Sequence, residues 1–318
     1  MKKYKICKIL LVILAIFLCV AFYELLGICV AYKKQPEVSN TTKKETKNGS
    51  WNECSENTER AVIIEKNPEA LLQRVRLIKN AKKEIILSTF AFKSDESGKL
   101  ILGALHDAAD RGVHIRLLVD GMESWIDMEG NPYFYGLSSH ENVEIKLYNK
   151  ANPLKPWKMM GRMHDKYLIA DGKRYILGGR NTYNYFLGDF PGHKNYDRDV
   201  LVVCDEPEKE NSVNQLLEYF ETIWEQEDSG YFHDNKKLAN RKSVKNAVLE
   251  LQNGYQKYFE ENKERICDTD YTDETFETEK IALVSNPIHT GSKEPVVWYQ
   301  LGELVKNAKN RVKIHPPY

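Results

Sequence analysis

The sequence predicts an α/β fold: a mixed, largely parallel β-sheet flanked by helices and preceded by one transmembrane helix. Three observations predict it. Glu84–Phe92 and Val113–Asp120 are β-rich apolar runs around a helix-periodic segment, Gly98–Arg111, so the pair reads as a βαβ unit. Arg162–Ala170 and Arg174–Leu177 flank Asp171-Gly172-Lys173, a hairpin signal. Ile9–Tyr32 is a 24-residue stretch that is apolar apart from Glu24, and about 20 such residues cross a bilayer.

The N-terminal stretch follows Lys2, Lys3, Lys5 and Lys8 and precedes Lys33 and Lys34. It exceeds a usual signal-peptide core, and no clean small-residue cleavage site follows, so residues 1–34 read as a retained anchor. The basic tail argues for a cytoplasmic start and a body on the other side, although Lys33, Lys34, Lys43 and Lys44 dilute that bias. Glu24 is costly at mid-membrane but sits near the helix end. Residues 35–60 are polar and read as a linker.

Folding is expected from near Ala61. Leu71, Leu72, Val75 and Ile78 space a helix over Pro68–Ala81. In Gly98–Arg111, Leu100, Ile101, Ala104, Leu105 and Ala108 share a face, and Gly112 ends the helix. Further strands are expected at Val143–Tyr148 and Arg198–Cys204, and a helix over about Asn211–Glu225. One lobe thus covers 61–226. Residues 227–280 are charged and mostly helical with no obvious core, which reads as a connection.

Leu77–Ser88 resembles Leu304–His315, with Lys79 and Lys306 in register. Each copy is a helix leading into a β-rich run, so 281–318 reads as the start of a second, truncated lobe. A strand without its sheet leaves an unpaired edge, so these last residues are expected to pack poorly.

Composition bounds the function. Lys plus Arg and Asp plus Glu each number 46, so the chain lacks the basic excess of a general nucleic-acid binder. Six cysteines form no C-x-x-C pair, hence neither a zinc signature nor a disulfide framework.

The chemistry concentrates in Met163–Tyr183, MHDKYLIADGKRYILGGRNTY. On a strand His164, Lys166 and Leu168 would share a face, with Asp165 and Tyr167 opposite. Lys166 is a fixed cation for a phosphate oxygen and Asn181 an amide donor for a second. Gly178 and Gly179 let a ligand or backbone approach closely. His164 is suited to attack phosphorus or to protonate a leaving oxygen. No dense carboxylate cluster lies nearby to hold magnesium. Asp171 is equally well explained as the first residue of an Asp-Gly turn.

This spacing resembles the HKD motif of the phospholipase D superfamily. Arg111–Asp120 resembles the strand before its active site, and Gly178-Gly179-Arg180-Asn181, Tyr185-Phe186 and Asp197-x-Asp199-Val-Leu resemble its cardiolipin-synthase-like branch. The similarity runs from about Ala61 to Glu225 and again from about Ile281, where Val312–Tyr318 looks like a second lobe's first strand. The resemblance implies a phospholipase D-like lobe and a covalent phosphohistidine mechanism. His164, Lys166 and Asp171 would be catalytic; Lys166, Asn181 and Gly179 would bind phosphate. An acidic residue would orient the histidine, with Asp199 the first candidate and Asp197 the second. It implies no cofactor, and a phospholipid substrate such as phosphatidylglycerol at a membrane. Nucleic acid is not expected as a partner.

That mechanism needs two histidines, and only one motif copy is present. His289 and His315 are the histidines of the second-lobe portion, and neither has H-x-K spacing. The chain is expected to be a fragment, a truncation, or a half-enzyme completed by a second subunit. The leading function is a membrane-anchored phosphatidyltransferase or phospholipase. The alternatives are a phosphodiesterase or nuclease of the same superfamily, or an inactive membrane scaffold.

Overall fold

A computed structural model describes residues 2–49, 59–204, 211–233 and 235–314. The chain begins with α1 (Lys2–Ala31) and α2 (Asn40–Asn48). The body follows as β1 (Glu59–Ile64), α3 (Asn67–Asn80), β2 (Glu84–Thr89), α4 (Glu96–Asp110), β3 (His114–Asp120), α5 (Gly121–Asp127), α6 (Pro132–Ser138) and β4 (Val143–Tyr148). After these come β5 (Lys166–Ala170), β6 (Arg174–Gly178), β7 (Asp199–Cys204), α7 (Ser212–Trp224), β8 (Ser229–Tyr231), α8 (Lys242–Glu261), α9 (Lys263–Cys267), β9 (Phe276–Glu277) and α10 (Val296–Asn307).

The strands form one nine-stranded sheet in the order β8-β4-β3-β2-β5-β6-β7-β1-β9. β2, β3 and β4 are parallel, as the βαβ reading requires. The remaining neighbours pair antiparallel. Strand alternation splits the core into two layers. Ile85, Leu87, Ile115, Leu117, Val119, Leu168, Leu201 and Val203 pack against α3, α4, α6 and α8. Ile86, Leu118, Tyr167, Ile169 and Val202 pack against Val213, Leu216, Phe220 and Ile223 of α7. The Asp171-Gly172 hairpin forms with both residues at positive φ, 55° and 62°, and Lys173 N–H donating to the Ala170 carbonyl at 3.1 Å. Those are the features of the type I′ turn that suits the twist of the flanking strands.

Three sequence expectations need correction. Residues 227–280 are part of the lobe, not a connection. β8 extends the sheet beside β4, and α8 buries Val244, Ala247, Leu251, Tyr255 and Phe259. Arg76, fully buried, ties the following segment down through Glu274 at 2.9 Å and the Asp268 carbonyl at 2.8 Å. The α8 stripe recurs at three- and four-residue steps, but the charged opposite face hid it in composition. Residues 35–60 contain α2, capped by Ser39 and by Glu294, which accepts from Ser39 N–H at 2.8 Å. The expected strand Arg162–Ala170 begins only at Lys166, so His164 precedes it.

Lys5–Ala31 of α1, 27 residues, is long and apolar enough to cross a membrane by length and composition. The expected second-lobe strand is not formed at 308–314, which is exposed and irregular; its remainder, including His315, lies outside the described residues.

Candidate functional site

One end of the sheet gathers the chemistry. β5 runs against β2, so its first residue, Lys166, pairs with Thr89, the last of β2. Gly178, the last of β6, pairs with Asp199, the first of β7. Asp120 ends β3 at the same edge. The residues just beyond these ends, Phe90, His164 and Asn181, therefore converge there.

His164 lies in an irregular stretch held from below by Asp120. The buried Asp120 carboxylate accepts from Met163 N–H at 3.1 Å and from Arg162 Nε at 2.8 Å. Asp120 also caps α5. The imidazole packs edge-on against Phe90, centroids 4.7 Å apart and planes at 62°. Partial desolvation, then the positive charge of Lys166 and Arg162, push its pKa below the ordinary histidine range, with Asp120 opposing. The ring is therefore neutral at pH 7.

Lys166 is buried, and its ammonium donates to the His164 carbonyl at 2.6 Å. Burial lowers its pKa to about 8, with Asp165, Asp197 and Asp120 pulling the other way. The ammonium stands 5.3 Å from the Phe90 ring centre. Asn181 is buried at the same end, its side-chain oxygen accepting from Ala91 N–H at 3.2 Å. Its amide nitrogen makes no hydrogen bond among the described residues.

His164, Lys166 and Arg162 line a cleft of about 390 Å³. The opposite wall comes from α7 and the C-terminal segment, with Tyr219, Leu283, Asn286 and Lys293. Asp165 accepts from the Tyr219 hydroxyl at 2.8 Å, and burial raises its pKa. Lys293 faces it, its own pKa lowered by burial.

Four residues to which the resemblance gives a role in the site are held otherwise in the structure. Asp171 sits at the far end of β5. It accepts from the backbone N–H groups of Lys82, Lys83 and Glu84 at 2.8, 2.7 and 3.0 Å, locking the start of β2. Asp199 does not touch the imidazole: it is fully buried between Arg74 at 2.9 Å and Arg180 at 3.2 Å. Asp197 lies beside Gly179 and accepts from Arg198 N–H at 2.7 Å, with no bond to His164. Gly179 faces that carboxylate instead of an open cradle, because any side chain there would collide with Asp197. A carboxylate so placed repels phosphate, so Gly179 is a poor anion ligand. Among the described residues no three His, Cys, Asp or Glu side chains are grouped to hold a metal ion.

Sequence reasoning missed Asp120, Phe90, Arg162 and Lys293. Asp120 and Phe90 carried a usable signal, since the C-terminal ends of parallel strands are where α/β sheets bind ligands. Lys293 carried none, because its place depends on how the C-terminal segment folds back.

Fold and site define a class: an α/β domain that presents a neutral histidine and a buried lysine to a cleft at one sheet end. Residues 74–224 match the family described as cardiolipin synthase, PLD-like domain. Over that segment the chain is similar to a phospholipase D-like domain. An uncharacterised protein of Helicobacter pylori is 31% identical over 212 residues, 62% of this chain and 39% of its own length. Cardiolipin synthase C of Escherichia coli is 28% identical over 171 residues, 49% of this chain and 34% of its own. A solved structure of phosphatidylserine synthase from Haemophilus influenzae covers 70% of this chain and 48% of that one, with a TM-score of 0.47 at 16% identity. The chain thus spans 39% or less of these curated relatives.

Proposed function

We propose that this chain is the first, membrane-anchored lobe of a phospholipase D-like phosphatidyltransferase that works through a phosphohistidine at His164. The observation that carries the reading is that the exposed His164 imidazole and the buried Lys166 side chain line one cleft. A histidine with a lowered pKa is a better nucleophile than acid at pH 7, so His164 is assigned the attack. Its ring nitrogen bonds phosphorus as the bond to the leaving alcohol breaks. A second histidine, from another lobe or a partner subunit, supplies the proton that alcohol takes. It then removes a proton from the accepting alcohol, whose oxygen displaces His164. Lys166 and the free amide of Asn181 stabilise the phosphoryl oxygens through both steps. Asp120 holds the 162–164 segment in place. The relatives and the apolar α1 support a phospholipid such as phosphatidylglycerol as substrate.

The test is transfer from labelled phosphatidylglycerol in membranes, with this chain completed by its second histidine-bearing lobe. His164→Ala should remove activity, and Lys166→Ala should lower it by about 10²–10³-fold. Equal rates for the complex and its His164→Ala form would overturn the assignment.

A further inference from the structure

The loop that joins β4 to the catalytic segment exposes three large apolar side chains close together in sequence. Leu154, Trp157 and Met160 are 78%, 45% and 57% exposed. This loop is packed on α1. The Tyr23 hydroxyl donates to the Leu154 carbonyl at 3.1 Å, and Gly27 abuts Pro156 so closely that a methyl there would sit 2.5 Å from its ring. The half-buried residues of α1 are Glu24, Gly27, Ile28 and Ala31, one helical face turned to the body.

The lengths then set the depth. The apolar part of α1, Ile9–Ala31, is about 35 Å of helix. A hydrocarbon core is about 30 Å thick, so about 5 Å of it extends into the interface. Tyr23–Ala31, the part that touches the loop, covers about 12 Å. The exposed Leu154, Trp157 and Met160 therefore lie at the boundary between the acyl chains and the headgroups. Lys155, exposed on the same loop, and Lys33 and Lys34, just after α1, are suited to anionic headgroups. A depression of about 500 Å³ lined by Tyr32, Met160, Arg162 and Lys293 shares Arg162 and Lys293 with the catalytic cleft.

We propose that residues 154–160 are a membrane-insertion loop that seats the mouth of the cleft on an anionic phospholipid surface, beside the point where α1 leaves the bilayer. The proposal rests on α1 being an anchor. A lipid phosphate would then reach His164 along the depression without leaving the interface.

The full chain is reconstituted in phosphatidylglycerol–phosphatidylcholine vesicles containing lipids brominated near the headgroup end of the acyl chain. The emission of Trp157 is read as the difference between wild type and Trp157→Phe. We expect a blue-shifted component, strongly quenched by bromine, whose quenching weakens in Leu154→Asp and in phosphatidylcholine alone. An unquenched, water-like Trp157 in chains that resist alkaline carbonate extraction overturns the loop and leaves the anchor standing. A blue-shifted Trp157 that bromine does not reach gives this surface to a protein partner and also overturns the proposal. Release of the chain by carbonate overturns the anchor reading itself.

Discussion

At the scale of single residues, two titrations bound the activity. In the proposed reaction His164 must be neutral to attack, and its pKa lies below the usual 6.5, so kcat/KM should rise with pH only below that value. Lys166 must be charged to hold phosphate, and it loses its proton near pH 8, so kcat/KM should fall above that. Lys166→Arg keeps the charge at any working pH. Whatever its effect on rate, it should remove the alkaline limb. An unchanged limb in pH–rate profiles would assign it to another group. The two misread aspartates give stability predictions instead. Asp199→Asn leaves Arg74 and Arg180 buried without a counter-charge and should cost about 3–5 kcal/mol in denaturant unfolding. Asp171→Ala deprives three backbone amides of their acceptor, at about 1–3 kcal/mol, while the rate of the folded protein stays near wild type.

At the scale of elements, the contact between α1 and the 154–157 loop is the joint between the apolar helix and the body. Gly27→Val drives a branched side chain into Pro156. We expect faster tryptic cleavage after Lys158 with no change in membrane retention; identical cleavage rates would show that this packing does not hold the loop. Elements were legible in the sequence where burial imposed a pattern. Val143–Tyr148 is observed as read, and β2, β3 and β7 differ from their expected bounds by no more than a few residues. β1 is not among the expected strands because it opens on the charged Glu59-Arg60, and β8 and β9 are three and two residues long. α8 was misread because its apolar stripe is diluted by lysine and glutamate. The same limit governed the site. Spacing identified His164 and Lys166, which the structure brings together, and Asn181 at the same sheet end. It could not say that a strand carries Asp171 to the opposite end, nor that buried arginines claim Asp199.

At the scale of the whole molecule, the site is one-sided. The cleft beside His164 is walled by the segment 283–297, and among the described residues no second histidine lines it. Attack by His164 alone should still proceed if the leaving group needs no proton. A phosphodiester with p-nitrophenolate as leaving group meets that condition. The most direct measurement is therefore a single-turnover reaction of this chain with such a diester, followed by mass spectrometry of the 163–173 peptide. We predict a burst approaching one p-nitrophenolate per chain and a phosphoryl adduct on His164, both absent in His164→Ala. A burst that survives His164→Ala, or an adduct on another residue, would contradict the phosphohistidine account.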